Sequence, residues 1–380
     1  MKFRKVRLCD LCSIVTDYVA NGSFKTLADK VKYLNEGYAR VIRLVDYNNK
    51  YSKKDSIWVS KESYEFLKKS KLYGGEIVLT NVGANLGTVF IAPQLEYPTT
   101  LGPNAIMIKT NENDKYLYYW LKSKNGQNTI KSIVTGSAMP KFNKTDLKNI
   151  EIAIPCIEDQ DKIVEILSNI DKKIELNNQT NDNLLKIGLE LLKEDFNKKT
   201  EYEVLSNVIK FVKGKKPSDI THVLKEGYKK YLTIACLNGQ EVNYADPTKM
   251  VLANNDLLMV MDGASSGEVY YGGQGLVGST LSRVDCIDGK YISEFIYFIM
   301  KYYKDLIQSK NTGSAIPHTD KVFVGNLKVP KLLIDEQEKY KILLHKILQN
   351  INENKILEQL RDTLLPKLMN GEIDLDRIEI

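Results

Sequence analysis

The chain has 380 residues, 43% of them apolar and 27% charged, with a formal net charge of +6. That length can bury a substantial core and predicts two or three domains, while so small a net charge selects no partner by itself. No apolar run is long enough for a membrane span, and the basic start Met1-Lys-Phe-Arg-Lys-Val-Arg-Leu has neither the apolar core nor the cleavage-like site of a signal peptide.

In chain order, Cys9 and Cys12 form an isolated CxxC. A zinc site needs two further ligands, and His222, His318 and His345 supply no cluster. The pair is read as two thiols packing in a short amphipathic stretch. With Cys156, Cys236 and Cys286 it makes an odd, scattered set that fits reduced thiols in a cytoplasmic protein. Short β-rich runs follow at Arg40–Val45, Ile77–Thr80, Val89–Ala92 and Ala105–Lys109, punctuated by Gly, Pro and Asn. They predict a mixed α/β fold with a twisted sheet. A helix is expected over Lys115–Lys124, echoed by Ser293–Lys301.

From Asp159 to Phe196 there is no proline and one glycine, Gly188. Ile163, Leu167, Ile170 and Ile174 recur at steps of four and three, followed by Asn177, Asn181, Leu184 and Leu191. This is a heptad seam with a polar middle. The 38 residues of 159–196 make a rod of about 57 Å as a helix, too long to fill a globular core. A second seam runs Tyr340, Leu344, Ile347, Ile351 and Asn354, then shifts to Leu357, Leu360 and Leu364 before Pro366.

These halves are copies of one another. Thr135-Gly-Ser-Ala-Met-Pro140 reappears as Thr312-Gly-Ser-Ala-Ile-Pro317, 177 residues later, and Gln160 and Gln337 keep that offset. So do Leu167, Ile170, Ile174 and Asn177 with Leu344, Ile347, Ile351 and Asn354. Upstream, Gly75–Gly87 resembles Asn255–Gly267 at an offset of 180, and Tyr38–Leu44 resembles Tyr231–Leu237 at 193. A drifting front and a fixed back describe a duplicated domain with a variable part. Four segments result: heads 1–158 and 197–334, and helices 159–196 and 335–380. The two helices are expected to pair antiparallel through Ile163, Leu167, Ile170, Ile174 and Asn177 with Leu344, Ile347, Ile351 and Asn354. Asn177 and Asn354 sit where a polar residue fixes register.

Charge divides along the same lines. The heads carry net +9 and +4, the helices −4 and −3. Basic heads on acidic rods suit contact of the heads with polyanionic DNA and of the rods with proteins.

Motifs for chemistry are absent. There is no GxxxxGK[ST] phosphate loop, no Asn-Pro-Pro-aromatic or methyl-donor signature, and the histidines are too scattered for a triad. Glu353-Asn-Lys355 has a nuclease-like spacing but falls inside the second predicted helix. The Gly83/Gly87 and Gly263/Gly267 loops are glycine-rich turns between strands, with DNA-backbone contact as their functional reading. No cofactor or metal is expected on the chain.

The order of features is a variable basic domain ending in TGSAxP, a strand ending in proline, Asp/Glu-Gln and a long helix, all repeated. It resembles the specificity subunit of type I restriction–modification systems over essentially the whole chain. Leu364-Leu-Pro-Lys-Leu-Met-Asn-Gly-Glu-Ile373 is similar to that family's C-terminal end. The resemblance implies two mixed α/β target-recognition domains separated by two long paired antiparallel helices, a pseudo-twofold internal repeat. Each head would read one half of a bipartite sequence in double-stranded DNA, with the helices setting the spacing. It also implies two modification subunits that bind S-adenosylmethionine and methylate adenine, restriction subunits that cleave, and no catalysis by this chain. A methylation-only or fused nuclease–methylase system is the nearest alternative, and a coiled-coil scaffold with protein-binding heads a more distant one.

No residue-level code carries over, so candidate DNA contacts come from side-chain chemistry alone. They are Lys25, Arg40, Arg43, Asn81, Asn85, Lys141 and Asn143 in head one. In head two they are Lys213, Lys215, Lys216, Ser265, Ser266, Arg283 and His318.

Overall fold

Both heptad segments form unbroken helices, Ile157–Lys198 and Ile334–Met369, in the computed structural model, which describes residues 1–313 and 316–375. Pro366 lies inside the second helix, within its last turn. Two structural units divide the chain: Met1–Lys173 with Ile356–Ile380, and Ile174–Lys355. Each contains one head and a part of both helices.

In the first unit, strand Arg4–Arg7 pairs antiparallel with Glu151–Ile154, so the head begins and ends on neighbouring strands. Between them lies an antiparallel sheet in the order Cys12–Asp17, Ala105–Thr110, Ile77–Thr80, Val89–Ile91. A second, mixed sheet has the order Tyr33–Leu34, Ile57–Val59, Ala39–Ile42, Thr99–Leu101, Lys71–Leu72. The continuous apolar run Ala105–Ile108 follows from burial on both faces. Ile106 and Ile108 pack with Tyr116 and Trp120, whereas Ala105 and Met107 pack with Val78 and Phe90.

Helix Asp114–Lys122 starts where the Asn113 side chain accepts from the Tyr116 N–H and stops at Ser123, whose extended backbone and hydroxyl cap the next helix. Ile163, Val164 and Leu167 of the first long helix and Leu365, Leu368 and Met369 of the second complete this core. Asp171 ties helices to head, accepting from the Tyr119 hydroxyl at 2.7 Å and from Arg361 at 2.9 Å.

The expected strand over Arg40–Val45 ends at Ile42, and Leu44–Asn48 is helical. The cause is local: the Asp46 carboxylate accepts the Arg43 backbone N–H at 3.0 Å, the reciprocal contact of a helix start.

In the second unit, Tyr202–Val204 pairs with Lys328–Pro330, the counterpart of the strand pair above. A single sheet has the order Ile209–Lys213, Leu281–Cys286, Leu252–Val260, Val269–Val277, Lys229–Leu232, Asn243–Ala245. The hairpin strands Leu252–Val260 and Val269–Val277 are nine residues each, against four and three for Ile77–Thr80 and Val89–Ile91. Their extra length carries the ladder on to Lys229–Leu232, so one sheet replaces two. Helix Ser293–Tyr302 buries Phe295, Ile296, Phe298 and Ile299 against it. Gly188, the lone glycine of the heptad segment, is required by packing. A Cβ there would lie 2.1 Å from the Phe298 ring, so only glycine lets the ring meet the helix backbone.

The two helices run antiparallel in this unit. Asn177 Nδ2 donates to Asn354 Oδ1 at 2.9 Å, and Asn354 Nδ2 to Asn178 Oδ1 at 2.9 Å. Asn350 Nδ2 donates to Asn181 Oδ1 at 2.8 Å. Further along, Asp195 accepts from Lys339 and from the buried Tyr340 hydroxyl, whose pKa is raised by burial and then by this carboxylate.

Of the residues expected to pair the helices, Ile163, Leu167, Ile170, Asn177, Leu344, Ile347 and Asn354 are buried and Ile174 is half-buried. Ile351 is a correction: it is 39% exposed, because the seam steps from Ile347 to Asn350, which is held by Asn181. Toward the end of the first helix the buried leucine is Leu192, with Leu191 beside it half-buried.

Candidate nucleic-acid interface

The two motifs that the repeat singled out separately are joined in each unit. In the first, the Asn81–Gly87 loop connects strands Ile77–Thr80 and Val89–Ile91, with Gly83 and Gly87 at φ +94° and +87°. These left-handed values strain any side chain and explain the glycines. The Gly83 N–H donates to the Pro140 carbonyl at 2.9 Å, and Asn81 Nδ2 to the Phe142 carbonyl at 3.1 Å. Thr135 and Lys141 exchange backbone hydrogen bonds at 2.8 and 2.9 Å, closing the TGSAMP segment into a ring. Its tip is exposed, Met139 to 65%.

The second unit repeats the arrangement. Gly263 donates to the Pro317 carbonyl at 2.9 Å, and Thr312 and His318 exchange bonds at 2.9 and 2.7 Å. Ser314 and Ala315 of this motif lie outside the described residues. The Ser266 hydroxyl, buried, sits 2.7 Å from the Gly263 carbonyl and 2.8 Å from that of Pro317, so it clamps the two loops.

Several candidates bond within their own unit, and two of them are buried. Arg40 is 0% exposed; its guanidinium reaches Asp46 at 2.9 Å and the carbonyls of Tyr51 and Ser52 at 2.7 and 2.8 Å. No surface remains for DNA, and the expectation for Arg40 is withdrawn. Ser266 is withdrawn on the same ground. Arg43 is engaged by Asp46 and the Asp55 carbonyl, and Arg283 by a bidentate pair with Asp285 at 2.7 and 3.0 Å. Asn143 caps helix Lys144–Lys148, accepting from the Asp146 N–H at 2.8 Å, and Asn81 is tied to Phe142. Lys215 donates to the Lys249 carbonyl.

The remaining candidates face solvent to differing degrees. Lys25, Asn85, Lys141, Lys213 and Lys216 are exposed, with no side-chain hydrogen bond among the described residues. Ser265 is half-buried in the glycine loop, and exposed His318 meets Asp262. Asn85 belongs to the glycine loop and Lys141 to the bridge that closes on it.

Sequence reasoning missed a groove of about 420 Å³ in the first unit, lined by Thr16, Lys68, Lys69, Lys71, Tyr73 and Lys109. Lys71 lies 4.2 Å from the Tyr64 ring centroid, and its pKa is raised by its bond to Glu65. The cluster Lys68-Lys69-Ser-Lys71 ahead of an exposed tyrosine was the available signal. In the second unit a cleft of about 1180 Å³ separates strand Val269–Val277 from the second long helix. Ile351 lines it, together with Tyr270, Tyr271 and Lys301. There the Glu268 carboxyl would be pushed up by burial, but Lys301 and Lys304 outweigh that and hold it below its ordinary range.

Among the described residues no helix is long and apolar enough to cross a membrane.

The type I restriction modification DNA specificity domain matches the chain twice, over residues 2–186 and 197–362. The MjaIX specificity subunit of a type I restriction enzyme from Methanocaldococcus jannaschii is 25% identical over 345 residues, covering 80% of this chain and 79% of that protein. The MjaVIII specificity subunit of the same organism is 26% identical over 171 residues, 43% of this chain and 40% of that one. The fold is similar to the crystal structure of the type I restriction–modification S subunit from M. genitalium, with a TM-score of 0.57 at 18% identity over 97% of this chain and 96% of the other. With the domain matched across both copies of its repeat, the chain belongs to the type I restriction–modification DNA specificity family.

Proposed function

We propose that each head reads one half of a bipartite duplex sequence, that the paired helices set the spacing between the halves, and that the chain itself catalyses nothing. The observation that carries this reading is the same two-loop bridge, glycine loop to TGSAxP ring, built once on each basic head. Loops pinned to a sheet by backbone bonds hold side chains at fixed positions, as readout of base edges and phosphates requires. The first head has the larger positive excess and the lysine groove, so it supplies more of the sequence-independent attraction.

Methyl transfer belongs in this reading to two modification subunits carrying S-adenosylmethionine and docked on the helices, and cleavage to restriction subunits. The test is to reconstitute the chain with the modification subunit of its own system and map methylated adenines on genomic DNA. A single bipartite sequence with a fixed spacer is expected. Methylation without sequence preference, or no salt-sensitive association with duplex DNA, rejects the proposal.

A further inference from the structure

Two positions made equivalent by the repeat carry different chemistry. His318 lies 177 residues after Lys141, and Asp262 lies 180 after Val82, the offsets that relate the two motifs. In both copies these residues form the antiparallel bridge between the loops, Val82 with Lys141 and Asp262 with His318. In the first copy an apolar side chain stands opposite an exposed ammonium. In the second, His318 Nδ1 lies 2.7 Å from Asp262 Oδ1 while the imidazole side chain stays 51% exposed.

A carboxylate accepts only, so Nδ1 is the donor in this contact. The bond therefore sets the direction of the ring and, in the neutral form, leaves its other nitrogen as an acceptor. The backbone beneath is pinned as well, by the paired bonds between His318 and Thr312. Among the described residues Nε2 has no partner, and in the neutral ring it is a lone-pair acceptor of fixed direction. In that neutral form the ring has nothing to offer a phosphate, which also only accepts. Its complement on a duplex is an exocyclic amino group in the major groove, N6 of adenine or N4 of cytosine. Lys141 is the reverse, three donors and no acceptor on a flexible stem, which suits a phosphate.

We propose that His318, aimed by Asp262, is a base-reading residue of the second head that accepts from an adenine or cytosine amino group, and that Lys141 at the same place in the first head is a phosphate contact. Asp262 is a positioning residue. The inference rests on the heads being DNA readers, and it assigns opposite kinds of contact to one structural position.

The test uses the full chain assembled with its modification subunits, its mapped site, and binding measured against salt. Lys141→Ala is expected to weaken binding to all sequences alike and to lower the slope of log affinity against log salt by about 0.9. His318→Ala is expected to leave that slope unchanged and to lose about tenfold discrimination at one A or C of the second half-site. Asp262→Ala should share that loss. Asp262→Asn, whose amide oxygen still accepts from Nδ1, should keep the discrimination. A uniform loss with a reduced slope in His318→Ala overturns the assignment, as does unchanged preference at every position. A wild-type complex with no preferred bipartite site overturns both this inference and the reading beneath it. A wild-type site that His318→Ala leaves intact overturns this one alone.

Discussion

Asn177 and Asn354 occupy the same position in the two copies of the repeat, 177 residues apart, and they hydrogen-bond to each other at 2.9 Å. When equivalent residues of two antiparallel helices meet, a local pseudo-dyad passes between them. Both are buried, and Asn177 Nδ2 donates to Glu353 as well as to the Asn354 oxygen. Neighbouring pairs, Asn354 with Asn178 and Asn350 with Asn181, extend the ladder. Asn177→Leu is expected to cost about 1–3 kcal/mol by stranding its partners. Asn177→Leu with Asn354→Leu should recover part of that loss, since apolar pairs replace buried polar ones at little cost. A double-mutant cycle from denaturant unfolding reads the coupling, and strict additivity of the two changes would contradict it.

Arg40 tests burial against charge. Arg40→Met leaves Asp46 buried with one cation fewer, which is expected to cost the first head about 3–5 kcal/mol. The salt dependence of DNA binding at temperatures where the variant is folded should match the wild type. A reduced slope there would return Arg40 to the DNA surface.

The lysine groove makes the opposite prediction. Lys68 and Lys69 are exposed and line it together. Lys68→Ser with Lys69→Ser should leave thermal stability within about 0.5 kcal/mol of the wild type. If both meet phosphates, the double variant lowers the salt slope by about 1.8. An unchanged slope would show that this face of the first head stays off the DNA.

Glu268 gives a pH dependence. Its carboxyl is held low by Lys301 and Lys304, which outweigh the opposing effect of burial, so its folded pKa lies below its unfolded value. The stabilisation is therefore complete above the ordinary carboxylate range and is lost as pH falls through the folded pKa. Wild-type stability should drop more steeply than that of Glu268→Gln on acidification below about pH 4.5. Parallel pH profiles from thermal unfolding would contradict this.

The helices and the duplication were legible because heptad spacing and a constant offset are long-range regularities that local packing does not disturb. Fine placement within the seam was not, since moving contact from Ile351 to Asn350 depends on a bond to Asn181 on the other helix. Arg40 misled for a related reason. Its partner Asp46 and the carbonyls of Tyr51 and Ser52 converge only after the chain has turned through a helix, and residue type alone cannot distinguish a buried cation from a solvated one. The strands ending in proline were legible, but their partners that open each head were not, because Arg4-Lys-Val-Arg7 and Tyr202–Val204 are short, polar edge segments. The loops of the candidate interface were found as motifs, whereas their union required the Gly83–Pro140 and Gly263–Pro317 bonds to be seen.

Those opening and closing strands have a consequence for how such a chain changes over generations. Arg4–Arg7 lies against Glu151–Ile154, and Tyr202–Val204 against Lys328–Pro330, so each head enters and leaves its unit through one two-stranded clamp. Between equivalent clamp strands the two copies differ in length, while the start of the following helix keeps its offset. The drift of the repeat offset from 177 to 180 to 193 toward the front of each copy is the trace of that difference. If each head reads DNA as proposed, a change of target between the clamp strands leaves the scaffold that carries it as it is.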